Sequence, residues 1–214
     1  MKNMINLIKL HYTSVLVLKK STIIAVALSI FIIIINKNVS MLPFGAAIVL
    51  MLLNYSTLAY EDNSKFNYMI YSLPIKPKEF VLSKYIYGVI NVFVCILLVN
   101  LIYIGLKLFN MIDSEIVSLG ILNLSIMSIG FFIVSIVFPI AFVVGFNKAR
   151  VIIVLLGLLL LGFSNILTIL PNVFNLIVNM SIERLELIFI IVSIILTTIS
   201  YFICSNLYSK KDIE

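Results

Sequence analysis

Long apolar runs alternate along this chain with short polar stretches that carry most of its lysines. A bilayer core of roughly 30 Å is crossed by about 20 helical residues. Runs near that length cover Thr22–Ile35, Val39–Tyr60, Tyr85–Phe109, Ile116–Phe146, Val151–Leu170 and Leu187–Leu207. The first is short and borrows Ser21 and the snorkelling stems of Lys19 and Lys20. The fourth is too long for a straight crossing and must tilt or bend. Pro139 offers a bend, because its ring opposes the Ser135 carbonyl. Pro171 stops the fifth. The runs are continuous rather than alternating, so helices are expected, not a barrel.

Ahead of the first run, Met4, Leu7, Ile8, His11, Val15 and Leu18 recur at helical spacing. Lys2, Asn6, Lys9, Thr13 and Lys20 fall on the opposite face. That pattern predicts an amphipathic helix within residues 1–20 lying in the headgroup plane. The alternative is a basic tail that serves only topology. A cleaved signal peptide is disfavoured, since about twenty residues precede the run and no small-x-small site follows Ile35. The expectation is a single transmembrane domain over 1–214: an all-α membrane protein with six transmembrane helices and an N-terminal interfacial amphipathic helix.

Composition agrees. Hydrophobic residues make up 63% of the chain and charged residues 11%, with a mean hydropathy of +1.23. A soluble domain averages about 45–50% apolar and about 25% charged, so lipid must solvate much of this surface.

Charge sets the orientation. Six crossings put both termini on one side, here assigned to the cytoplasm. That side then holds Lys2, Lys9, Lys19 and Lys20, and in the 61–84 loop Lys65, Lys76, Lys78 and Lys84. Lys148, Arg150, Lys210 and Lys211 join them, making 12. The outer side holds 3: Lys37, Lys107 and Arg184. The asymmetry is that of a positive-inside membrane protein. The net charge of +6 is the rim facing anionic lipid, with no need of a nucleic-acid partner. Residues 171–186 are expected outside, as an interfacial or re-entrant segment.

Sites of chemistry are sparse. One histidine, His11, cannot build a metal cluster and reads as an interfacial polar residue. Cys95 and Cys204 lie in different spans and read as small, buried, reduced residues. There is no GxxxxGK[ST] to cradle ATP and no GxSxG nucleophile. The chain is therefore not expected to be an enzyme: no catalytic, cofactor-binding or metal-binding residues are assigned. Glu61 and Asp62 are neighbours and point about 100° apart on a helix. They read as solvated acids, with Asp62, Asn63 or Ser64 capping a following helix, or as docking charges for a partner. No acidic residue stands at the centre of a span, which argues against a proton-driven carrier. Polar clusters remain: Asn54 and Thr57 in the second span, and Ser118, Ser125, Ser128 and Ser135 in the fourth. Ser164, Asn165 and Thr168 form another in the fifth. Each serves helix packing or pore lining. Asn54 and Asn165 are the better pore candidates, because an unpaired buried amide is costly.

The 61–84 loop, EDNSKFNYMIYSLPIKPKEFVLSK, is more aromatic and apolar than a solvated loop should be. Pro74 and Pro77 stiffen it, and Pro77 suits the first position of a short helix, Lys78–Tyr85, running into the third span. The segment fits a docking element for a soluble partner or an amphipathic loop on the membrane surface.

Asn54–Lys84, above all SLPIKPKEF with Lys84 and Tyr85, resembles the small ABC type-2 permeases of Gram-positive bacteria. In size and composition the chain looks similar to relatives that export phenol-soluble modulins or protect producers from lantibiotics. The resemblance implies that the loop is a cytoplasmic coupling helix docking on an ATP-binding cassette subunit through Ser72, Leu73, Pro74, Ile75, Lys76, Pro77 and Glu79. It implies two permease chains, identical or not, with two ATPase subunits that hold the ATP and magnesium. It implies export of amphipathic peptides from the bacterial plasma membrane, with no cofactor in this chain. Other classes remain: an ATP-independent immunity or scaffold protein, the six-span substrate-binding subunit of a vitamin importer, or a CAAX-type intramembrane protease. The last lacks the paired intramembrane acids or histidines it would need.

Overall fold

The computed structural model describes residues 2–16, 23, 27, 42–63, 76–109, 118–145, 149 and 181–210. These form α1 (Lys2–Leu16), α2 (Leu42–Asn63), α3 (Pro77–Leu108), α4 (Leu119–Val144) and α5 (Ile182–Ser209). The predicted spans Thr22–Ile35 and Val151–Leu170 lie outside the continuously described residues. Among the described residues all regular structure is helical, and α3, α4 and α5 are each long and apolar enough to cross a membrane. An apolar stretch of α2, Leu42–Tyr55, is shorter.

The helix ends follow local chemistry. Pro77 occupies the first turn of α3, where its missing N–H costs nothing, and Glu79 complements the positive end of the helix dipole. Lys107 does the same at the negative end. The predicted short helix and third span are thus one 32-residue rod. Ser118 caps α4 by accepting from the Ile121 amide at 3.4 Å. Gly145 ends it at φ 82°, a backbone that side-chain-bearing residues rarely adopt. α5 starts at Ile182, five residues before the predicted Leu187, so Glu183, Arg184 and Glu186 are helical. A last span drawn from hydropathy alone stops at the first charges, whereas a helix continues wherever its backbone bonds continue. Asp62 and Asn63 belong to the last turn of α2, and Ser64, the other capping candidate, lies outside the described residues.

Directions follow from contacts. The Tyr87 hydroxyl donates to the Leu53 carbonyl at 3.4 Å, and Leu42–Val49 face Cys95–Ile102, so α2 and α3 are antiparallel. α3 and α4 are antiparallel and meet at two glycines. A Cβ on Gly88 would stand 2.9 Å from Val134 Cγ2, and one on Gly130 2.7 Å from Val92 Cγ2. Absent side chains let the two backbones approach, the usual way to gain packing in lipid. α4 and α5 form the most extensive helix pair and run parallel. Thr197 Oγ1 donates to the Phe131 carbonyl at 3.0 Å and Ser200 Oγ to the Ser135 carbonyl at 2.8 Å.

The second of those bonds answers Pro139. Proline has no N–H, so the Ser135 carbonyl loses its intrahelical donor. The Ser200 hydroxyl replaces it from the neighbouring helix. α5 buries only a narrow stripe, Ser193, Thr197, Ser200, Cys204, Ser205 and Tyr208, at helical spacing. Its other faces, and a stripe of α3 through Phe93, Leu97, Leu101 and Leu108, expose large apolar side chains.

Candidate functional site

Ser72, Leu73, Pro74 and Ile75 lie outside the described residues. The chain is described again from Lys76, exposed before the first turn of α3. Pro77 and Glu79 follow, both half-buried. One turn later the helix enters a dense aromatic hub.

Phe80 is fully buried at its centre. Its ring centroid lies 6.1 Å from His11 of α1, 6.4 Å from Phe142 of α4 and 5.4 Å from Tyr208 of α5. Phe142 and Tyr208 also meet edge to face at 5.4 Å. The start of α3 is therefore gripped by three other helices through one side chain. Lys84, one turn on, is 3% exposed, with its ammonium 5.0 Å from the Phe80 ring and 4.7 Å from that of Phe142. Counted as a solvated rim charge, it is instead held between ring faces. A desolvated cation over a ring gains about 2 kcal/mol, which offsets part of its lost hydration.

α1 packs its covered face here. Leu7 and His11 are buried while Asn6, Lys9 and Thr13 are exposed, the predicted division. His11 is no longer an interfacial polar residue: it is 1% exposed, with Nε2 3.2 Å from Ser83 Oγ. Ser83 gives its one proton to the Phe80 carbonyl at 2.7 Å, so His11 Nε2 carries the hydrogen and donates. Tyr12 packs edge-on to Tyr87 at 4.9 Å and donates to Asn91 Oδ1 at 3.3 Å. Partial burial pushes the Tyr12 pKa up, which keeps that donor protonated.

Next along α3, Tyr85 Oη is 2.6 Å from Ser200 Oγ and 3.2 Å from Cys204 Sγ. Ser200 uses its proton on Ser135, so Tyr85 donates to Ser200. One chain of hydroxyls thus ties α3 to α5 and α5 to α4. Cys95 and Cys204 are both buried free thiols.

At the other end of the α4–α5 pair sits a second polar cluster. Ser125 Oγ donates to Glu186 Oε1 at 2.7 Å, and Ser128 Oγ lies 3.2 Å from Oε2. The carboxylate borders a cavity of about 430 Å³ walled by Ser128, Ile129, Phe132, Glu186, Phe189, Val192 and Ser193.

Other expected site residues fall as follows. Asn54 and Thr57 are fully buried in α2; Thr57 donates to the Asn54 carbonyl at 2.8 Å. Both polar atoms of the Asn54 amide lack a partner. Glu61 and Asp62 belong to the last turn of α2. Ser164, Asn165 and Thr168 lie outside the described residues. Among the described residues no group of three metal-ligating side chains occurs.

The family model described as ABC-2 family transporter protein matches residues 6–209, nearly the whole chain. The chain belongs to the ABC-2 transporter family. No curated protein and no solved structure matches it. The permease is therefore the multi-pass membrane component of an ABC transporter, not itself catalytic, and works in a family whose members pair with an ATP-binding subunit.

The reading of the residues missed Phe80, the burial of Lys84, the Tyr85–Ser200 link and the Glu186 clamp. The first two had a trace: Phe80 and Lys84 share a helical face of α3, whereas nothing local points from Tyr85 to Ser200, 115 residues away. Glu186 had none, because it fell just beyond the last apolar run.

Proposed function

We propose that this permease is the membrane half of an ATP-driven exporter of amphipathic or hydrophobic peptides, with its 61–84 loop as the element on which the ATPase acts. The reading takes six spans, cytoplasmic termini, a plasma-membrane location, and a second permease chain beside two ATPase copies. One observation carries it: the turn that follows SLPI opens directly into Phe80, which touches α1, α4 and α5. A displacement of the loop would meet no slack before the helix bundle. Pro77 adds stiffness at the junction. Glu61 and Asp62 sit at the negative end of the α2 dipole, an unfavourable place for acids that suits a basic partner. Parallel α4 and α5 require a return crossing between them, which supports the fifth span.

The test replaces Leu73 and Ile75 with Asp and follows ATPase pull-down at equal membrane levels, with peptide export measured alongside. Insertion should be intact, since both residues flank the spans. Recruitment should fall at least tenfold, because burying an unpaired carboxylate at an interface costs several kcal/mol. A double variant that keeps its ATPase and exports normally would make the loop a membrane-surface segment only.

A further inference from the structure

Glu186 is a carboxylate on the second turn of α5, bordering an apolar cavity. Two serines of α4 hold it, and no lysine or arginine among the described residues pairs with it. Burying part of a carboxylate is costly; the Ser125 hydroxyl donates to it, and the single Ser128 proton is shared between it and the Ser125 carbonyl at 2.9 Å, so the cost is partly offset and the charge is not neutralised. The cavity volume of about 430 Å³ is in the range of ligand sites, roughly 300–1,000 Å³. Its walls include the rings of Phe132 and Phe189, the latter largely exposed. Aromatic faces and a carboxylate attract the same ligand chemistry, a cation on an apolar body.

We infer that this cavity binds the lysine ammonium of an amphipathic peptide, with Glu186 as the specificity-determining residue. The inference rests on the exporter reading and deepens it by naming the charge on the substrate. Other occupants fit less well. One carboxylate and two hydroxyls are too few oxygens for a divalent cation, which takes about six or more. An aminophospholipid also offers an ammonium, but its phosphate would be drawn beside Glu186. A lysine brings no such anion, so its apolar stem can lie on Phe132 and Phe189 while the ammonium meets the carboxylate.

The experiment uses the full chain with its ATPase in phosphatidylcholine nanodiscs. The probe is a fluorescent amphipathic helical peptide carrying lysines, compared with the same peptide acetylated on every lysine. Wild type should bind the lysine peptide about tenfold tighter than the acetylated one, and Glu186→Gln should abolish that difference. A photoreactive group beside the lysine should cross-link wild type at Ile129 or Phe189, a readout that needs no variant. Equal binding of the two peptides to wild type, unaltered preference in Glu186→Gln, or cross-links elsewhere would each overturn the site. Displacement of the peptide by phosphatidylethanolamine added to the discs would assign the cavity to lipid and overturn it too. ATPase recruitment is read on the same discs: its loss overturns the exporter reading, whereas peptide preference decides the site.

Discussion

Ser200 joins three helices with one hydroxyl. It donates to the carbonyl that Pro139 deprives of a donor and accepts from Tyr85. Ser200→Ala should therefore orphan the Ser135 carbonyl, leave the Tyr85 hydroxyl with only the weaker Cys204 thiol, and destabilise the permease by about 1–3 kcal/mol. In a Pro139→Ala background residue 139 regains its N–H and the Ser135 carbonyl regains its helical partner. The cost of Ser200→Ala should then shrink by about half. Thermal unfolding of the four proteins in detergent checks this; costs that simply add would dissolve the link between Ser200 and the proline. Half of this arrangement is legible in the sequence. Which carbonyl Pro139 frees is local geometry, four residues back along one helix. Which hydroxyl takes it is not, because Ser200 lies 65 residues away and the register of α5 on α4 depends on packing alone.

Helix α1 shows the same division between period and partner. Its amphipathic spacing is plain in the sequence, and the polar positions Asn6, Lys9 and Thr13 are indeed exposed. The surface under its apolar face is α3, through His11, Ser83, Phe80 and Tyr87. Hydrophobic spacing does not distinguish a lipid surface from a protein one, so that docking is invisible before folding. His11→Asp should expel α1, since a carboxylate there faces aromatic rings where it cannot be solvated. With Cys95 and Cys204 replaced, a cysteine at Leu7 should then react with a hydrophilic maleimide at least tenfold faster than in the parent. Unchanged labelling would mean that α1 is not held by this contact. The start of α5 was misjudged for a related reason: Glu186 interrupts the apolar run, yet two serines of α4 accommodate it inside the helix.

For the whole molecule, membrane residence was the most legible property, because composition alone forces it. Under the proposed six-span topology, orientation rests on the distribution of lysine and arginine, 12 on one side and 3 on the other, with Lys84 among the 12 although it is buried between rings. A reporter fused after Tyr208 and a tag in the 61–84 loop should both be cytoplasmic, and a tag between Asn110 and Glu115 external. Labelling of the 110–115 tag only from the inside would invert the protein. The described helices agree internally: the starts of α4 and α5 share one end of the bundle, and the start of α3 lies at the other with Phe142 and Tyr208. Substrate chemistry was least legible, since it depends on a carboxylate and a cavity assembled from two helices far apart in the chain.

The unbroken length of α3 has a mechanical consequence. A helix of 32 residues is about 48 Å long, well beyond the hydrocarbon thickness it crosses. The one glycine of α3 that presses against a neighbouring helix is Gly88, set against Val134 and Phe138 of α4. That seat divides the rod into a short arm of about 17 Å on the loop side and a long arm of about 30 Å beyond. Any rocking about Gly88 is geared: about 1 Å of travel at Pro77 becomes nearly 2 Å at Leu108, in the opposite direction. Permease α3 is thus shaped as a fulcrumed lever, and the residue that makes it one is the side chain that is missing.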